Sequence, residues 1–124
     1  MTASNLAFRA SLIFILIGIA LGMYMGASQN HAPAPAHAHI NLIGFVSLFM
    51  IGLFYERRDG LNRSKLAFWQ VVIWTVGSII LNTAVALLYF GNPQFIVLAP
   101  VGEVIVAISA LTLTVIVYKE TARA

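Results

Sequence analysis

Apolar residues fall into four runs, at about 8–27, 37–55, 66–90 and 95–118, separated by three short polar breaks. A helix needs about 20 apolar residues to cross a hydrocarbon core, and each run is long enough. Backbone groups in lipid must bond within their own segment, which a helix does. The pattern predicts an all-α integral membrane four-helix bundle, a single transmembrane domain over 1–124. The breaks are well marked. Residues 28–36 read SQNHAPAPA, polar and then Pro-rich, with an extended, polyproline-like character. Residues 56–65 read ERRDGLNRSK, a charged loop, and residues 91–94 read GNPQ, a tight turn.

Composition agrees. The chain is 60% hydrophobic and 9% charged, with a mean hydropathy of +0.92. A soluble domain carries about 25% charged residues, so 9% cannot cover a wet surface. Cysteine is absent, which excludes disulfides, thiolate metal sites, iron–sulfur clusters and thiol catalysis. No Gly-rich phosphate loop is present, and no serine has a histidine and carboxylate in hydrolase order.

The net charge of +3 reads as orientation in the bilayer, with no nucleic-acid partner. Arg9 lies at the start of the first run, Arg57, Arg58, Arg63 and Lys65 sit in the middle loop, and Lys119 and Arg123 close the fourth run. All seven basic residues lie on one side, so the positive-inside rule predicts both termini in the cytoplasm. The histidine loop and the GNPQ turn then face outward, into the periplasm if the membrane is a bacterial inner membrane. The segment GAS at Gly26 resembles a signal-peptide cleavage site, but the apolar core before it is longer than usual, which favours a retained span.

Gly18, Gly22 and Gly26 form a row of small residues four apart, which lets another helix approach closely. Gly44 and Gly52, with Ser47 between, do the same for the second run.

The three histidines, His31, His37 and His39, share one window at the outer end of the second run. Imidazole is the commonest side-chain ligand for metals and haem iron. Topology places His37, His39, Asn41, Asn82 and Glu103 at one depth, the outer half of the membrane. Glu103 is the sole acidic residue inside a run, where a carboxylate must be neutral or paired. It is expected to be a histidine's hydrogen-bond partner, a proton-path residue, a metal ligand or a packing residue. Pro100 and Gly102 are expected to loosen the helix just before it. Two residues on a helix rotate by about 200°, so His37 and His39 point to opposite faces. Regular geometry then gives two separate sites. A shared small metal would need non-helical backbone at 36–38.

The segment 37–58, HAHINLIGFVSLFMIGLFYERR, resembles the tenth helix of the haem–copper oxidase catalytic subunit, closest to the C-type oxidases and nitric oxide reductases. That pattern is His-x-His at the outer end of a span that carries glycine and aromatics and ends in Tyr and basic residues. The resemblance implies haem b, with His37 facing a high-spin and His39 a low-spin haem, and Asn41, Asn82 and Glu103 adjusting them through hydrogen bonds. The family's separate copper-holding histidines have no counterpart here, so binuclear reduction of oxygen or nitric oxide is not implied. Its roughly twelve spans form three arcs of about four, so three copies of this chain would match them as a homotrimer. The implied role is electron transfer, with a redox partner on the outer face, or binding of a diatomic gas. Two other functions compete. One is a copper or zinc protein using His31, His37, His39 and Glu103, with Met23 and Met25 as soft ligands. The other is a non-catalytic membrane subunit.

Overall fold

The computed structural model describes residues 1–122; Arg123, read above as a basic flank, lies outside the described residues. The described residues form helices and connecting turns, with no strand among them. Four helices are long and apolar enough to cross a membrane: α1 (Ala3–Ser28), α2 (Ala34–Glu56), α3 (Lys65–Tyr89) and α4 (Pro93–Thr121).

Two boundaries differ from the hydropathy pattern, and in both cases a cap explains why. Thr2 caps α1 by accepting the Asn5 N–H on its hydroxyl, so the helix starts well before the apolar run. At the other break, α1 runs through Ser28 and ends on Gln29 in the left-handed region (φ 56°). The Pro-rich segment is not extended. Pro33 precedes α2 and Pro35 lies in its first turn, where a proline lacks no bond the helix needs. The backbone at 36–38 is therefore helical, and the non-helical chelate geometry does not occur.

α2 is not uniform. Ile40–Val46 winds as a π-helix between α-helical ends, a geometry usually confined to single turns near functional sites. Within it Leu42 accepts both the N–H and, at 2.8 Å, the hydroxyl of Ser47. The Trp74 indole of α3 donates to the Ile43 carbonyl at 3.0 Å.

Packing is uneven. α1, α2 and α3 touch one another, whereas α4 packs along α3 and makes no comparable contact with α1 or α2. α4 is thus appended, through α3, to a cluster of three mutually packed spans. Alanine and glycine make the α1 face narrow: Ala3, Ala7, Ala10 and Gly18 are buried. Aromatic rings of α1 fill the glycine notches of α2, Phe14 over Gly44 and Phe8 over Gly52.

Polar bonds brace the end that carries the middle loop. The loop contains a helical turn, Asp59–Asn62, and is not wholly solvated. The buried Asn62 accepts the Ser4 N–H at 2.8 Å and donates to the Ser4 hydroxyl at 2.9 Å. Arg58 donates to the Phe54 carbonyl at 2.9 Å and lies 4.0 Å over the Phe54 ring.

Candidate functional site

The glycine row of α1 holds polar side chains of α2. A Cβ at Gly18 would strike the Asn41 amide, and one at Gly22 would sit 3.1 Å from the His37 ring. Small residues here make room for chemistry-bearing side chains. Gly26 faces nothing within 4 Å.

His37 lies in that notch with both ring nitrogens bonded. Nδ1 pairs with the Gly18 carbonyl at 2.9 Å, and Nε2 with the Asn41 side-chain nitrogen at 3.1 Å. A carbonyl can only accept, so Nδ1 carries the proton and Nε2 accepts from Asn41. The neutral tautomer is fixed by its partners. Replacing Asn41 by Leu should leave the Nδ1–H bond and free Nε2. The expected result is a nitrogen-15 NMR shift confined to His37 Nε2; no shift would mean that Asn41 does not hold the ring.

His39, two residues on, faces elsewhere, as the helical rotation predicts. Its Nδ1 pairs with the Pro35 carbonyl at 2.8 Å, so Nδ1 again donates. Its Nε2 has no hydrogen bond among the described residues, and the ring is partly exposed at the rim of α2. This is the arrangement metal-bound histidines use, with one ring nitrogen anchored to a carbonyl and the other presenting a lone pair.

The rest of the expected polar layer does not converge. Asn82 is buried on α3, but neither its nitrogen nor its oxygen has a hydrogen-bond partner; Ser78 Oγ, one turn away, is unpartnered too. Glu103 is exposed. The buried residues of α4 are Ala99, Gly102, Ser109 and Ile116, a stripe at helical spacing that meets α3. Glu103 follows Gly102 and is turned out of that stripe by the rotation of about 100° per residue. Topology addressed its depth and said nothing about its face. Pro100 causes no break within α4: the helix is 3₁₀ over Pro93–Leu98, and Pro100 lies in the first turn of the α-helical part.

His31 is exposed in the loop, its Nδ1 3.3 Å from the Gln29 carbonyl. Met23 is exposed and Met25 is buried. Among the described residues no three of His, Cys, Asp and Glu come together in a group able to hold a metal ion. The His31–His37–His39–Glu103 set is thus not assembled within one copy.

The sequence reading missed a buried network. Tyr55 of α2 donates to Gln70 Oε1 at 2.9 Å. Gln70 Nε2 donates to Ser109 Oγ at 3.0 Å, and Ser109 Oγ donates to the Gln70 carbonyl at 2.7 Å. Gln70, an amide in an apolar run, was the available signal.

No protein-family model, curated protein or solved structure matches this chain.

Proposed function

We propose that this chain is a haem-b-binding integral membrane protein, related to the haem–copper oxidase catalytic subunit, in which His39 is an axial ligand. The observation that carries this reading is the state of the His39 ring, with Nδ1–H anchored on Pro35 and Nε2 free at the rim. His37 is less ready, because Asn41 occupies its Nε2; it would serve a second haem only if that amide moved aside.

A haem does not fit inside one copy. The groove between the spans at Asn82 holds about 250 Å³, below the roughly 300–1,000 Å³ of ordinary small-molecule pockets. The haem would lie outside the single copy, against His39 and a neighbouring copy. When bound, haem b supplies one-electron chemistry, or a site for a diatomic gas such as nitric oxide if one axial position stays open.

The attachment of α4 through α3 favours a homo-oligomer, and three copies, with twelve spans, suit the family's architecture. α4 has a bare outer face, and Glu103 on it is too costly to leave in lipid. A neighbouring copy covers both. The side on which the basic residues lie supports a reading with the termini in the cytoplasm and the histidine rim in the periplasm, within reach of a redox partner on the outer face.

Absorption spectroscopy of the detergent-purified protein tests the reading. The expected result is a Soret band with sharp α and β bands on reduction, abolished in His39→Ala. A spectrum unchanged by that substitution overturns the ligand assignment, and a colourless protein overturns the function. Native mass spectrometry should show three copies; a haem-bearing monomer would exclude a shared site.

A further inference from the structure

At the end of α2 that joins the middle loop, Met50, Leu53, Phe54, Arg57 and Arg58 line a groove of about 320 Å³. Met50, Leu53 and Arg57 are three and four residues apart, so they follow one another along one face. Val46, one turn further in, extends that face, and all four residues are exposed. An apolar track thus leads out of the span to a pair of arginines just past its end.

The two arginines differ. Arg58 is held in place, since it donates from Nη1 to the Phe54 carbonyl at 2.9 Å and lies 4.0 Å over the Phe54 ring. That bond uses one of five guanidinium N–H groups and leaves donors for an anion. Arg57 is exposed. Among the described residues no carboxylate lines the groove; Asp59 and Glu120 border a separate recess with Arg58.

The occupant must carry a negative head and a long apolar tail. A soluble anion would leave Met50 and Leu53 uncovered. A zwitterionic lipid would bring its ammonium up against two guanidiniums. A second copy inserted in the same direction would present its own net-positive loop, residues 56–65, at this depth. A phospholipid of net negative charge meets both needs. Its phosphate takes charge-assisted hydrogen bonds from guanidinium, and an acyl chain covers the track.

We propose that this groove holds an acidic phospholipid, with its phosphate at Arg57 and Arg58 and one acyl chain along Val46, Met50 and Leu53. The groove lies at the opposite end of α2 from His39, so it stands apart from the haem reading.

Native mass spectrometry tests it on the full chain, titrated in detergent with phosphatidylglycerol or phosphatidylcholine of equal chain length. One phosphatidylglycerol should be retained per chain, in preference to phosphatidylcholine. The Arg57→Gln, Arg58→Gln double variant should weaken that binding by about tenfold or more. Leu53→Trp, a change at an exposed position that leaves both charges in place, should fill the track and give a comparable loss; it decides the matter if the double variant fails to fold. Arg9→Gln removes a charge outside the groove and should bind like the wild type. His39→Ala should do so too, so failure of the haem assignment leaves this result standing. The proposal is overturned by equal retention of the two lipids, or by full binding in the folded double variant or in Leu53→Trp. An equal loss in Arg9→Gln overturns it as a diffuse effect of surface charge, and equal competition by glycerol 3-phosphate as a site for soluble anions. Separation of copies by Leu53→Trp would overturn it by making the groove a contact between copies.

Discussion

Gly102→Ala should loosen α4 from the rest of the protein. A Cβ at Gly102 would lie 2.5 Å from the backbone nitrogen of Leu81 and 2.8 Å from its Cα. Neither atom can swing aside, since both belong to the α3 helix, so the helices must separate along their seam. Separation draws Ala99, Ser109 and Ile116 away from α3. α4 has no comparable contact with α1 or α2 to hold it in place. Overpacking a well-filled interior typically costs about 1–3 kcal/mol, and this site belongs at the upper end because rigid backbone is what must move. The unfolding midpoint in mixed detergent–SDS micelles measures the effect. Gly26→Ala is the control: nothing lies within 4 Å of its added Cβ, and alanine favours the helix, so its midpoint should be unchanged or slightly higher. Equal midpoints for both variants would show that α3 and α4 do not meet at Gly102.

Gln70→Leu should be the next most damaging change. Gln70 is 1% exposed and, among the described residues, is the one side chain bonded to both α2 and α4, through Tyr55 and Ser109. Leucine keeps most of the volume and removes both bonds, leaving the Tyr55 hydroxyl without its acceptor. Hydrogen bonds between membrane helices average about 0.6 kcal/mol and reach about 1.7. Two such bonds plus an orphaned hydroxyl give about 1–3 kcal/mol, read from the same unfolding titration. The Tyr55→Phe, Gln70→Leu double variant identifies the cause, because removing the hydroxyl removes the orphan. It should be less destabilised than the sum of the two single variants. Strict additivity would mean that the two side chains do not interact.

These two sites mark the limit of what the sequence discloses. Long apolar runs gave the four spans, because crossing a bilayer imposes a length that few polar residues can interrupt. Their ends were misplaced where polar or proline residues begin a helix, at Ser4 and Asn5 and at Pro33 and Pro35, since those residues resemble loop until a cap is seen. Rotation per residue was enough to send His37 and His39 to different sides. It could not place Glu103, because depth follows from counting residues and facing depends on which stripe of α4 meets α3. Ala99, Gly102 and Ser109 carry that stripe as small residues at helical spacing, a signal present in the sequence but outweighed by the interest of a lone carboxylate. The Tyr55–Gln70–Ser109 bonds join positions up to 39 apart, and only the register between helices makes them neighbours.

The wide winding at Ile40–Val46 has a consequence for how this span tolerates change. The π segment carries one residue more than α-helical pitch would accommodate in the same rise. Losing a single residue there would let it relax to ordinary pitch over the same rise and the same turn, so the imidazole-bearing rim would keep its phase against the inner half of the span. Leu48 and Tyr55 would keep their seats and His37 its place in the Gly18–Gly22 notch. The wide turn is thus slack within one rod: it absorbs a one-residue deletion that, in regular α-helix, would swing the histidines about 100° out of register.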